Sequence, residues 1–186
     1  MLLDRQASQL RLSGGFTLIE LMVVIAVSAI LLAVAAPNFS AALISNRLGS
    51  QANDLVADLR LGRSEAATRG AWVVVCPSAD GGTTCSASAA DWAKGRMVFV
   101  DSDRSGTRAT TEPVLRSVTA LSGATSMAST GFSDATITFS PYGGLLQGGV
   151  PAASGTFRLC SASSVTGRQV RVDASGRPSS SKVTCP

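Results

Sequence analysis

An α+β fold, with one long N-terminal helix packed on an antiparallel sheet, is what this sequence predicts, and three observations predict it. Residues 16–36 form an unbroken apolar run with one charge in it, Glu20. Apolar residues then continue at helical spacing up to Gly70. Beyond Ala71 the period falls to two, in short segments separated by Gly- and Ser-rich turns.

The apolar run is 21 residues long. At ~1.5 Å per residue it is long enough to cross a bilayer core. It is preceded by a polar, mixed-charge stretch (residues 1–13) and by Gly14 and Gly15. A secretory signal has a shorter apolar region, about 7–15 residues, with its small-residue cleavage site after that region. Here the glycines come first, so a cut after Gly15 removes the polar leader and keeps the helix. The acid in the run calls for a partner, because a lone carboxylate in hydrocarbon costs several kcal/mol.

Past Pro37 the pattern becomes amphipathic. Leu48, Ala52, Leu55, Val56, Leu59 and Ala66 recur at steps of three and four, while Arg47, Asp54, Asp58, Arg60, Arg63 and Glu65 lie mainly off that stripe. This reads as a second helical half packed on a domain along one face, with Gly70 as its stop. Pro37 removes a backbone donor and is expected to bend or locally melt the helix. In the remainder, residues 71–77, 95–101, 112–118, 135–143, 155–161 and 168–177 read as about six strands, and residues 122–133 as a surface loop.

Composition narrows the chemistry. There is no His, which removes the commonest general base and metal ligand. No nucleophile elbow or phosphate-binding glycine loop is present. The sequence therefore supports no enzyme activity and implies no cofactor. Four cysteines in 186 residues fit an oxidising compartment. The net charge of +4 resides in residues 151–186, where Arg158, Arg168, Arg171, Arg177 and Lys182 face one acid, Asp173. Such a tail is a solubilising surface or a site for an anionic partner.

The stretch GFTLIELMVVIAVSAILLAVAAPNF resembles the type III signal and first helix of type IV pilins and type II secretion pseudopilins. The resemblance rests on Gly15, Phe16, Thr17, Leu18, Ile19, Glu20, Leu21 and Pro37. It implies cleavage by a prepilin peptidase between Gly15 and Phe16, and N-methylation of Phe16. It also implies pairing of Glu20 with the terminal amine of a neighbouring subunit, which sets the stagger between helices. The domains it implies are a leader (1–15), a transmembrane helix (16–36), an amphipathic continuation (37–70) and a β-rich head (71–186). The protein would sit in the bacterial inner membrane with its head in the periplasm, and then in a pilus or pseudopilus.

Beyond residue 71, the segments WVVVCPSADGGTTC, DWAKGRMVFVDSDRSG, EPVLR, FSPYG, GTFRLC and GRQVRVDASGR are similar, by pattern, to heads of the GspH/FimT group of minor pilins and pseudopilins. Four cysteines allow three pairings. The pairing that fits this picture joins Cys76 to Cys85, closing a short loop, and Cys160 to Cys185, stapling the tail to a strand. The resemblance implies a minor pilin that helps initiate or cap filament assembly, or a GspH-type pseudopilin of a type II secretion system. Some heads of this group capture DNA in natural transformation through a basic G-R-x-R element. Here the nearest stretches, at Gly167–Arg171 and Gly176–Ser179, match it incompletely. Arg168, Arg171, Arg177 and Lys182 are the DNA-contact candidates, although Arg168 and Arg171 fall on opposite sides of a strand.

One further pattern, Asp101, Asp103, Ser105, Gly106 and Glu112, falls at the positions of a calcium loop. Arg108 stands where such loops are apolar, and the flanks read as strands. A polar hairpin turn is the preferred reading, with no metal.

Overall fold

The structure, a computed structural model, describes residues 15–132 and 134–185, and of residues 34–38 the backbone only. The leader up to Gly14 lies outside the described residues. The chain divides into two units, Met1–Ser40 and Ala41–Pro186.

In the first unit, helix α1 (Leu18–Arg69) begins immediately after Thr17. Every described side chain from Phe16 to Ala33 is exposed, so nothing within the unit covers the apolar run. Among the described residues no helix is long and apolar enough to cross a membrane. The described side chains of the run stop at Ala33, short of the ~20 residues a span needs. The backbone stays helical at Pro37, so the melting expected there does not occur.

In the second unit, α1 lays one stripe against the head. Leu48, Ala52, Leu55, Val56, Leu59 and Ala66 are all buried, as their spacing predicts. Gly62 brings the helix close to the sheet: a Cβ built on it would lie 3.0 Å from Val75 and 3.1 Å from Phe139. Asp58 departs from the expected pattern. It was expected off the stripe, yet it is fully buried. Position 58 is one turn from Leu55, so the helical period places it at the interface, and two arginines of the sheet meet it. Arg96 Nε donates to Oδ2 at 2.5 Å, and Arg116 Nε lies 2.8 Å from Oδ1. Burial pushes the Asp58 carboxyl above its ordinary range, against the pull of Arg96 and Arg116.

Among the described residues ten strands, all paired antiparallel, form two sheets. The larger has the order β3 (Val114–Thr119), β2 (Gly95–Asp101), β1 (Trp72–Pro77), β5 (Ile137–Phe139), β6 (Leu145–Gln147), β7 (Val150–Pro151). The smaller has the order β10 (Pro178–Thr184), β9 (Thr166–Val172), β8 (Gly155–Ser161), β4 (Thr125–Thr130). Val73, Val75, Val98, Val100, Ile137 and Phe139 share one core with α1 and the smaller sheet. Val74, Cys76, Met97 and Phe99 form a second cluster with Cys85 packed against it. β1 is thus buried on both faces, which is why it reads as a continuous apolar run and not as an alternation. A 3-10 helix (Ala89–Ala93), capped by Ser88, carries Trp92 into the main core. There Trp92 meets Phe157 edge-on, ring centres 4.8 Å apart.

Three expectations are corrected. Residues 122–133, expected as a loop, contain β4, whose Thr125 and Met127 face inward. Residues 135–143 pair only over Ile137–Phe139. The strand expected over 168–177 stops at Val172, because Asp173 accepts hydrogen bonds from the Arg177 amide and the Ser175 hydroxyl and turns the chain. The tail then returns as β10, paired with β9 from Pro178 to Thr184.

Candidate functional site

Three groups of candidate residues occupy different places: the N-terminal end of α1, the acidic loop after β2, and the smaller sheet.

At the start of α1, the Thr17 hydroxyl accepts from the Glu20 amide at 3.2 Å, and the Thr17 carbonyl accepts from the Leu21 amide. Thr17 is therefore the N-cap. Sequence reasoning missed this role, although the spacing T-x-x-E is the signal for it. The consequence concerns Glu20. Its amide is satisfied by Thr17, and its carboxylate makes no ion pair among the described residues. Glu20 is exposed, as are Gly15 and Phe16 ahead of it.

The acidic loop brings together the oxygens of Asp101, Asp103 and Glu112, one from each lying within 4.8 Å of the others. The carboxylates also hold the loop's own amides. Asp101 accepts from Ser105 and Gly106, Asp103 accepts from Ser105, and Glu112 accepts from Ser102 and Ala109. Desolvation pushes the Asp101 carboxyl up, while the Ser105 hydrogen bonds hold Asp103 down. Arg108 reaches across to the Thr83 carbonyl and ties this loop to the Cys76–Cys85 loop.

The disulfides are Cys76–Cys85 and Cys160–Cys185. The first lies beside the second apolar cluster on β1 and β2. The second fixes the end of β10 to β8 across β9. Gly167, the glycine of the incomplete G-R-x-R stretch, has a packing reason for lacking a side chain. A Cβ there would lie 2.4 Å from both Cys185 Sγ and the Leu159 carbonyl.

The basic tail residues do not converge. Cross-strand partners share a face of a sheet. Arg168 pairs in register with Leu159 and Lys182, and Leu159 is fully buried, so this face turns toward α1. There the Arg168 guanidinium comes within 3.4 Å of a Cβ position on Gly49. Arg171 pairs with Thr156, and Arg158 with Gln169, so Arg171 and Arg158 share the opposite, outward face. Arg171 there donates to Ser154. Arg177 lies in the β9–β10 turn. Arg158, counted in the basic tail, was not among the DNA-contact candidates; its register with Gln169 is a tertiary fact.

Comparison with known proteins follows this geometry closely. A family model described as type II transport protein GspH matches residues 51–176, which runs from the packed half of α1 to the β9–β10 turn. The chain belongs to the GspH family. In this GspH-family protein, a second match, to the prokaryotic N-terminal methylation motif, covers residues 10–36. The type IV minor pilin FimU of Pseudomonas aeruginosa PAO1 has the same fold. One crystal form superposes with a TM-score of 0.55 at 24% identity, covering 76% of this chain and 90% of that one. The other gives 0.54 at 24% identity, covering 72% and 91%. No curated protein matches the chain. Membership of this group makes the protein a membrane-anchored component of a pilus or pseudopilus, processed at its methylation motif and assembled with other pilins.

Proposed function

We propose that the protein is a minor type IV pilin, held in the inner membrane by residues 16–36 until it enters a filament, where it helps initiate or cap assembly. The observation that carries this reading is an uncovered apolar helix, within the methylation-motif match, whose one acid makes no ion pair among the described residues. Prepilin peptidase cuts between Gly15 and Phe16 and methylates the new terminus. The Phe16 amine then lies at the front of the helix in every subunit. Glu20 of one subunit meets the Phe16 amine of its neighbour, and only one axial stagger satisfies both charges in a medium that penalises either alone.

The test is Glu20→Ala. The variant is expected to enter the membrane and to carry a methylated Phe16, yet to be missing from sheared filaments. Incorporation at the wild-type level would refute the pairing. Gly15→Ala should leave the leader attached, visible as an intact-mass difference.

A second reading is a GspH-type pseudopilin of a type II secretion system, favoured by the description of the matching family. A deletion strain separates the two: loss of pili supports the first, and retained exoproteins with intact pili support the second. A reading of another class, DNA capture during uptake, draws on Arg158 beside Arg171 on the open face of the smaller sheet.

A further inference from the structure

The turn after β5 carries the chain's one tyrosine, Tyr142, 97% exposed. The turn holding it is rigid. Gly143 N donates to the Ser140 carbonyl, Ser140 N to the Gly144 carbonyl, and Gly144 N to the Ser140 hydroxyl. Arg63 of α1 donates from Nε to the Gly143 carbonyl at 3.1 Å. From the other side Gly176 packs on Gly143, with φ of +75° and no room for a Cβ, which would lie 2.5 Å from the Gly143 carbonyl. An aromatic ring is thus held out in solvent by a turn pinned on both flanks.

Between Tyr142 and α1 lies a depression of about 280 Å³, lined by Arg60, Arg63, Ser64, Ala67, Tyr142 and Gly143. Its charge is unbalanced. Arg60 makes no ion pair among the described residues. Of the nearby acids, Glu65 is engaged by Arg69, and Asp173 by the Ser175 hydroxyl and the Arg177 amide. An exposed Tyr beside Arg60 and Arg63, with small residues as a floor, has the composition of an interface anchor.

We propose that this patch docks an acidic loop on the head of a neighbouring pilin subunit in the filament, the carboxylate meeting Arg60 and the ring of Tyr142 packing over the loop. The inference rests on the pilin reading above. The patch lies on the second half of α1, the helix whose first half that reading assigns to the bundle. Nucleic acid suits the patch less well. Its floor of Ser64 and Ala67 takes one side chain, whereas a strand of nucleic acid needs a row of phosphate contacts.

The test places a benzophenone amino acid at position 142 of the full chain in its own cells, with Val165, also exposed, as the control position. Irradiation is expected to join position 142, and not 165, to a second chain bearing a methylated N-terminal helix, at an acidic peptide readable by mass spectrometry. Arg60→Glu should reduce that adduct about tenfold, and Arg60→Lys should restore most of it. An adduct to nucleic acid, an adduct indifferent to Arg60→Glu, or no adduct would overturn the proposal. If wild-type protein is present in filaments without the adduct, the docking idea alone fails. If it is absent from filaments, the pilin reading fails and takes the docking idea with it.

Discussion

Gly167 lies under Cys185, so closely that a Cβ on the glycine would stand 2.4 Å from the sulfur, and equally close to the Leu159 carbonyl. The glycine of the incomplete G-R-x-R stretch is here the space that lets a disulfide cross β9. Gly167→Ala is expected to destabilise the head by about 1–3 kcal/mol through overpacking, measured by urea unfolding. In a Cys160→Ser, Cys185→Ser background the penalty should shrink without vanishing, because the Leu159 carbonyl remains. An unchanged penalty would assign the whole clash to the backbone.

Asp58 ties α1 to β2 and β3. Asp58→Ala leaves Arg96, 1% exposed, with no countercharge, and Nη1 and Nη2 of that arginine already lack hydrogen-bond partners. Removing one member of a buried pair costs about 3–5 kcal/mol. Arg116→Ala should cost roughly 1 kcal/mol or less, since its side chain is 41% exposed. Denaturant midpoints of the two variants measure the contrast, and equal losses would reject it.

The Cys76–Cys85 loop carries a pH dependence of its own. Asp80 accepts from the Thr84 hydroxyl and amide, the Ser78 hydroxyl and the Thr83 amide. These bonds, those from Thr84 foremost, hold its carboxyl well below the usual carboxylate range. A group depressed in the folded state stabilises above its unfolded value, about 3.9, and loses that contribution as pH falls toward the folded value. Asp80→Asn should therefore lower the melting temperature at pH 7, and the gap from wild type should close progressively below about pH 4. A gap that does not vary with pH would show that the carboxylate's charge is irrelevant.

If the outward face of the smaller sheet binds DNA, Arg158→Ala and Arg171→Ala should each weaken binding and reduce the salt slope by about 1. Arg168→Ala, on the α1 side, should leave the slope unchanged and lower thermal stability. Electrophoretic shifts with the detergent-solubilised full chain across a salt series provide the reading. Binding that ignores salt would remove phosphate contact as its basis.

The helix and most of the larger sheet were legible in the chain because their signals are local. Six apolar residues at steps of three and four predicted the buried stripe of α1, and β1 and β2 stood out as apolar runs bounded by turn residues. β4 and β10 were not legible. Both are edge strands of the smaller sheet and consist mostly of Ser and Thr, so neither shows a clear apolar alternation. They are strands because β8 and β9 supply the hydrogen bonds and, in β10, because Cys185 is fastened to Cys160.

By itself, then, the sequence determined the uncovered apolar helix with its single acid, the amphipathic continuation and the α+β class, since each depends on residues within a few turns or one strand of each other. The tertiary structure alone decided that Asp58 is buried between two arginines, that Gly167 makes room for a disulfide, that Arg168 and Arg171 serve opposite faces, and that Tyr142 stands beside Arg60. Those pairings join residues far apart in the chain, and strand register, which no local period encodes, is what brings them within reach.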